Sequence, residues 1–178
     1  LSTPVVVVDT NVPVVANLGH AAASPACIEK CVQAVVEITD GRRRLALDDS
    51  WLIIKEYQHN LPLTGQLGVG GAFLKWVLTN HANPERCDKV AIKPIEDRGF
   101  EEFPDHPGLA AFDRADRKFV AVAAAHPGRP PIQQAVDSKW WGYRDALQEA
   151  GVVVDFLCPE EVGGEAAPIP PRPRRRRG

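Results

Sequence analysis

PVVVVDTNV, residues 4–12, places four consecutive valines directly ahead of an acid. β-Branched side chains suit a pleated strand, and an apolar run without alternation suits a strand covered on both faces, as in a parallel sheet. Such a strand should have no reason to end on Asp9. Open α/β sheets, however, bind their ligands beyond the carboxyl ends of their strands, so Asp9 is a candidate functional group.

The rest of the chain alternates in the same way. SPACIEKCVQAVVEITDG (24–41) has apolar residues at helical spacing and stops at Gly41, and RRLAL (43–47) reads as a strand. DDSWLIIKEYQHNLP (48–62) has the outline of a helix opened by the capping acids Asp48 and Asp49 and closed before Pro62. TGQLGVGG (64–71) lacks the Gly-Lys-Ser/Thr ending of a phosphate loop and reads as a flexible turn, with a helix following over 72–81. Residues 88–95 form a short extended segment, and 97–108, rich in acids and proline, a surface loop. A helix is expected over 109–126, a strand over 130–137 ending on Asp137, a helix over 138–151 and a last strand over 152–159. Strands alternating with helices imply an α/β/α sandwich with a central, mostly parallel sheet.

Length and composition bound the reading. The 178 residues, 44% hydrophobic and 25% charged, fit one globular domain over 1–158 followed by a tail over 159–178. No apolar run approaches the roughly 20 residues that span a bilayer, and Leu1 is followed by nothing resembling a secretion signal. The sequence contains no Met, so a start residue is expected to have been lost, replaced or left out. Cys27, Cys31, Cys87 and Cys158 are too few and too scattered for a disulfide scaffold, which fits a reducing cytoplasm. Cys27 and Cys31 lie one helical turn apart, a spacing that could pin a metal, but there is no C-x2-C knuckle. Five of the 21 basic residues and three of the 23 acids lie after Pro159, so an acidic body carries a basic tail. That tail is proline-rich, almost without apolar content and expected to be disordered. Its Arg172, Arg174, Arg175, Arg176 and Arg177 suit phosphate backbones, or are a solvated terminus with no task.

Several acids lie where acids are costly. In a helix over 109–126, Asp116 falls within the stripe of Phe112, Phe119, Val120 and Ala123, and Asp113 lies one turn ahead of it. Buried carboxylates need a partner, either a metal or a structural ion pair with Arg114, Arg117 or Lys118. Glu56 sits at the margin of its helix's apolar face, and Asp137 repeats the strand-end position of Asp9. The five histidines show neither metal spacing nor a paired nucleophile.

The ordered blocks VVVVDTNV, LDDSWLIIKEY, FDRADRKFVAVAAAH and AVDSKWW resemble those of the PIN-domain nucleases, a family that includes ribonuclease toxins of toxin–antitoxin pairs. The resemblance runs from about Val5 to Cys158. It implies a divalent-metal-dependent endoribonuclease using Mg2+ or Mn2+, with RNA as substrate, and allows a small antitoxin-like partner or a homodimer. Asp9, Glu56, Asp116 and Asp137 fall on the family's acidic positions, with Asp113 as an extra acid and Thr10, Asn11 and Ser138 in support. Lys139 stands where many relatives carry a further acid, which puts a second metal in doubt unless Asp113 supplies the missing carboxylate. Hard cations of this kind take carboxylate oxygens, neutralise the phosphodiester and lower the pKa of a bound water. Asp9, Asp116 and Asp137 would bind the metal, with Asp113 as a further candidate ligand, and Glu56 would hold or deprotonate a metal-held water.

Two other readings compete. A phosphatase with an Asp nucleophile needs a second Asp two residues on, where this chain has Asn11. A PIN-like fold that no longer cuts would serve as an RNA- or protein-binding module.

Overall fold

The computed structural model describes residues 2–20 and 22–163. The valine run forms β1 (Val5–Val8), and Val6, Val7 and Val8 are all fully buried. Successive side chains of a strand point to opposite faces, so both faces of β1 are covered. β1 lies at the centre of a five-stranded sheet with β2 (Arg44–Asp48), β3 (Cys87–Val90), β6 (Ile132–Gln134) and β7 (Val154–Phe156), in the order β3-β2-β1-β6-β7. Every pairing in it is parallel. A separate antiparallel pair joins β4 (Pro94–Ile95) to β5 (Gly99–Phe100).

The strand order locates the crevice of the molecule. From β1 the chain winds outward through β2 to β3, then crosses back to β6 on the other side of β1 and outward to β7. The direction of winding reverses between β1 and β6, and at such a point the connections leaving adjacent strand ends diverge and leave a cleft. Asp9 follows β1 and Asp137 follows β6, so the topology places both acids at the mouth of that cleft.

The helices are α1 (Asn11–Ala16), α2 (Pro25–Thr39), α3 (Leu52–Asn60), α4 (Gly68–Asn80), α5 (Arg117–Ala125), α6 (Ser138–Gly142), α7 (Arg144–Glu149) and α8 (Pro159–Val162). Helix α5 packs on β1, β2 and β6, while α1, α2 and α4 pack on one another. Among the described residues, no helix is long and apolar enough to cross a membrane.

Several elements depart from the sequence-based outline, each for a local reason. The helix expected over 109–126 begins only at Arg117, after a 3-10 turn at Pro107–Leu109. The Asp113 carboxylate accepts from the Ala115 N–H, a turn that competes with helix hydrogen bonding. The Arg117 guanidinium then donates to the carbonyls of Ala110 and Phe112, which a continuous helix would have paired internally, and to that of Arg98 outside it. Asp116 is therefore the residue that precedes the helix and not a member of its stripe.

The helix expected over 138–151 is two, broken where Tyr143 leaves the helical region next to Gly142 and packs its ring against Phe112. The glycine-rich 64–71 is a turn only as far as Leu67. Gly70 and Gly71 already lie in α4, where a Cβ would collide with the carbonyls of Pro13 and Pro62 and where both N–H groups donate to Asn17 Oδ1. These glycines let two helices approach closely.

The cysteines also differ from expectation. Cys27 and Cys158 form a disulfide, although neither spacing nor size suggested one. Their separation of 131 residues conceals the pairing in the sequence, and the fold creates it because α8 packs back onto the start of α2. Lys30 of α2 pairs with Glu160, and the Ser24 N–H donates to Glu161. The described fold thus continues through Val162, past the boundary drawn at residue 158.

Candidate active site

Asp9 is 2% exposed. Its N–H donates to Gln133 O, continuing the β1–β6 ladder, and its Oδ1 accepts the Asn11 N–H at 2.9 Å. Asn11 braces the site through its backbone, as Asp9 closes the turn that starts α1. Burial pushes the Asp9 carboxyl up to about 7, opposed by the Asn11 N–H and reinforced by the charges of Asp116, Glu56 and Asp137. The structure therefore brings the four acids singled out in the sequence into one electrostatic neighbourhood.

Glu56 reaches it from α3. That helix is anchored by the buried Asp48, whose carboxylate accepts from the N–H groups of Ser50, Leu52 and Ile53 and so satisfies donors that no helical carbonyl can reach. Asp48 caps as expected, from the last position of β2. Asp49 accepts only from the Ser50 hydroxyl. The fully buried Tyr57 donates its hydroxyl to Val8 O, holding α3 against the end of β1. Glu56 Oε1 then accepts from Thr10 Oγ1 at 2.6 Å, and its second oxygen is ion-paired with Lys118. The ammonium of Lys118 also donates to Ala115 O. An ion pair on α5 was expected to involve Asp116 if it existed; the lysine goes to Glu56.

Asp116 is partly buried and accepts from Trp140 Nε1 at 3.2 Å. Its carboxyl is pushed up to about 6 by burial, then by the charges of Asp113 and Glu56, against the Trp140 bond and with a smaller contribution from Asp137. Asp113 is exposed and acts on the cluster through its charge. Asp137 is the N-cap of α6, its Oδ1 accepting the Lys139 N–H at 2.9 Å, and it follows β6 by a short buried stretch instead of ending it. Ser138 is the exposed first residue of α6. Beside Asp113 and Asp116 lies a groove of about 430 Å³, lined also by Phe112, Lys139, Trp140 and Tyr143. The arginines expected to contact RNA, Arg172 and Arg174 to Arg177, lie outside the described residues.

The arrangement is open. Among the described residues, no three carboxylates have oxygens within 4.8 Å of one another; the only such group of ligand atoms consists of three cysteine sulfurs. The donor set, oxygen only and with more negative charge than Lys118 offsets, nevertheless fits a hard divalent cation that keeps several waters. Tyr57 and Trp140 escaped the sequence reading, and Lys118 was named there only as a partner for the acids beside it, not for Glu56. Trp140 carried the clearest signal, since it lies on the first turn capped by Asp137.

No protein-family model matches the chain, and comparison with curated proteins and with solved structures finds no match. What is shown is an α/β fold with a central five-stranded parallel sheet and an acid cluster at its switch point.

Proposed function

We propose that the chain is a divalent-metal-dependent endoribonuclease of the PIN type. The observation that carries the reading is the Asp9 carboxyl, buried at the mouth of the β1–β6 cleft with three further acids raising its pKa. Burying like charges together is unfavourable unless a cation relieves them, and a cleft of this kind at a switch point is where α/β sheets hold ligands.

Asp9, Asp116 and Asp137 would hold Mg2+ or Mn2+. When bound, such an ion supplies neutralisation of phosphodiester charge and a water of lowered pKa. The chain's own residues do the rest. Glu56, fixed at one oxygen by Thr10 and at the other by Lys118, positions a nucleophilic water or accepts its proton. Trp140 fixes the orientation of Asp116, and Lys139 at the groove rim offers a charge to a flanking phosphate. RNA is the proposed substrate, and a small antitoxin-like protein covering the acids is the partner to seek by co-purification.

One observation favours a second reading. The Lys118 ammonium already neutralises Glu56, so a positive charge stands in the cluster without any metal. This suits a PIN-like module that binds RNA or protein without cutting. Incubating labelled RNA with the protein and Mn2+ separates the two: cleavage abolished by chelator, by Asp9→Asn and by Asp116→Asn supports the nuclease. Retention of intact RNA by a protein that never cuts it supports the module.

A further inference from the structure

We propose that the reduced protein holds a structural metal site for a thiophilic divalent cation, of which zinc is the type, on Cys27, Cys31 and Cys158. The Sγ atoms of these three residues all lie within 4.8 Å of one another, and all three side chains are fully buried. A disulfide needs only two of them. The third, Cys31, sits one turn along α2 from Cys27, on the same helix face, and is a free thiol. Tetrahedral zinc with bonds of about 2.3 Å requires sulfurs about 3.8 Å apart, so three thiolates here could form one face of the tetrahedron with small side-chain adjustments once the disulfide is open. The site would join the start of α2 to the end of β7 and α8, the junction that the Cys27–Cys158 bond now holds. Glu161 also lies at this junction: its charge bears on Cys31, and it receives the Ser24 N–H, which makes it a candidate fourth donor alongside water.

Two simpler roles fit less well. A thiol that attacks the neighbouring disulfide must ionise readily, whereas burial, with the Glu161 charge, pushes Cys31 up to about 12. Pure core packing would not require three sulfurs to converge where one carbon side chain would fill the space. A bound cation removes the obstacle, because a coordinating thiol is deprotonated outright.

A dithiol reductant breaks the Cys27–Cys158 bond, delivers two electrons and two protons to the two sulfurs, and leaves as its own disulfide. Metal binding then displaces one proton from each of three thiols, giving a tris-thiolate complex with a net charge of −1. The proposal is independent of the nuclease reading, since the sulfurs are soft ligands and play no part in the acid cluster.

The test uses the full chain, reduced with a dithiol, freed of reductant without air and titrated with Co2+. The expected result is a thiolate-to-cobalt charge-transfer band that saturates at one equivalent and is bleached by Zn2+. X-ray absorption of the zinc form should count three sulfurs at ~2.3 Å. Cys31→Ala should lower the affinity at least about tenfold, and Cys87→Ala should leave it unchanged. Absence of the band, an undiminished band in Cys31→Ala, or fewer than three sulfurs around zinc would each overturn the proposal; the sulfur count decides even if Cys31→Ala fails to fold.

Discussion

Thr10 Oγ1 lies 2.6 Å from Glu56 Oε1, so the residue that follows the buried Asp9 directly holds the acid presented by α3. This bond couples residues 46 apart and leaves the second oxygen of Glu56 to the Lys118 ammonium. Thr10→Val removes the hydroxyl at nearly constant shape. It should cost about 1 kcal/mol of stability, read from denaturant midpoints. In the nuclease reading it should also lower kcat with little change in RNA binding, because Glu56 loses its orientation and not its charge. A variant that loses stability but cleaves RNA at the parental rate would remove Glu56 positioning from the mechanism.

Asp9 predicts an unusual pH dependence. Its folded pKa, about 7, lies above the unfolded value near 3.8, so between those limits the folded state binds more protons than the unfolded one. Stability of the metal-free protein should therefore fall as pH rises from about 4 to 7, by ~4 kcal/mol from this group. Asp116, raised to about 6, acts in the same direction. Asp9→Asn keeps an acceptor for the Asn11 N–H and should flatten the slope. Thermal melts in chelator across pH 5 to 8 check this, and a parent protein that is more stable at the alkaline end would contradict it.

How much of this was readable from residues alone depends on whether the decisive contact is local. The β1 strand was legible because four valines encode burial on both faces, and Asp9 because a charge ends that run. Asp48 was legible as a cap because it precedes its helix by a few residues. The start of α5 was not, since the Arg117 side chain satisfies carbonyls as far away as Arg98. The Lys118–Glu56 pair and the Cys27–Cys158 bond depend on how α3 and α8 dock, and no periodicity within one segment reports that. Sequence pattern therefore picked out the acids and offered Lys118 as a partner, while the acid it serves became visible only in three dimensions.

The disulfide should contribute strongly to stability. Closing a loop of 131 residues removes chain entropy equivalent to ~5 kcal/mol in the simplest treatment, an upper figure if the unfolded chain keeps structure. Reduction in the presence of chelator should lower the melting temperature by many degrees, and Cys27→Ala should do the same. A reduced protein that melts with the oxidised one would show that the bond is not formed in solution.

Stability alone separates the two readings of the α5 region. Glu56 and Lys118 form an ion pair in which the lysine is nearly buried and the acid partly exposed, so Glu56→Gln leaves an ammonium with Ala115 O and the face of Phe119 but no counter-charge. The cost should fall between surface and buried limits, about 2 kcal/mol, and should appear with or without metal. Among the described residues Asp116 has no cationic partner, and its carboxylate accepts from the neutral indole of Trp140. Asp116→Asn removes repulsion with Asp113 and Glu56, so in chelator above pH 7 it should be at least as stable as the parent. Added Mn2+ should then raise the parent's melting temperature clearly and that of Asp116→Asn much less, as ligand linkage requires. If Mn2+ stabilises neither protein, Lys118 is the cluster's working cation and the non-cutting module becomes the better reading. If it stabilises the parent alone, the acids at the β1–β6 cleft hold a metal.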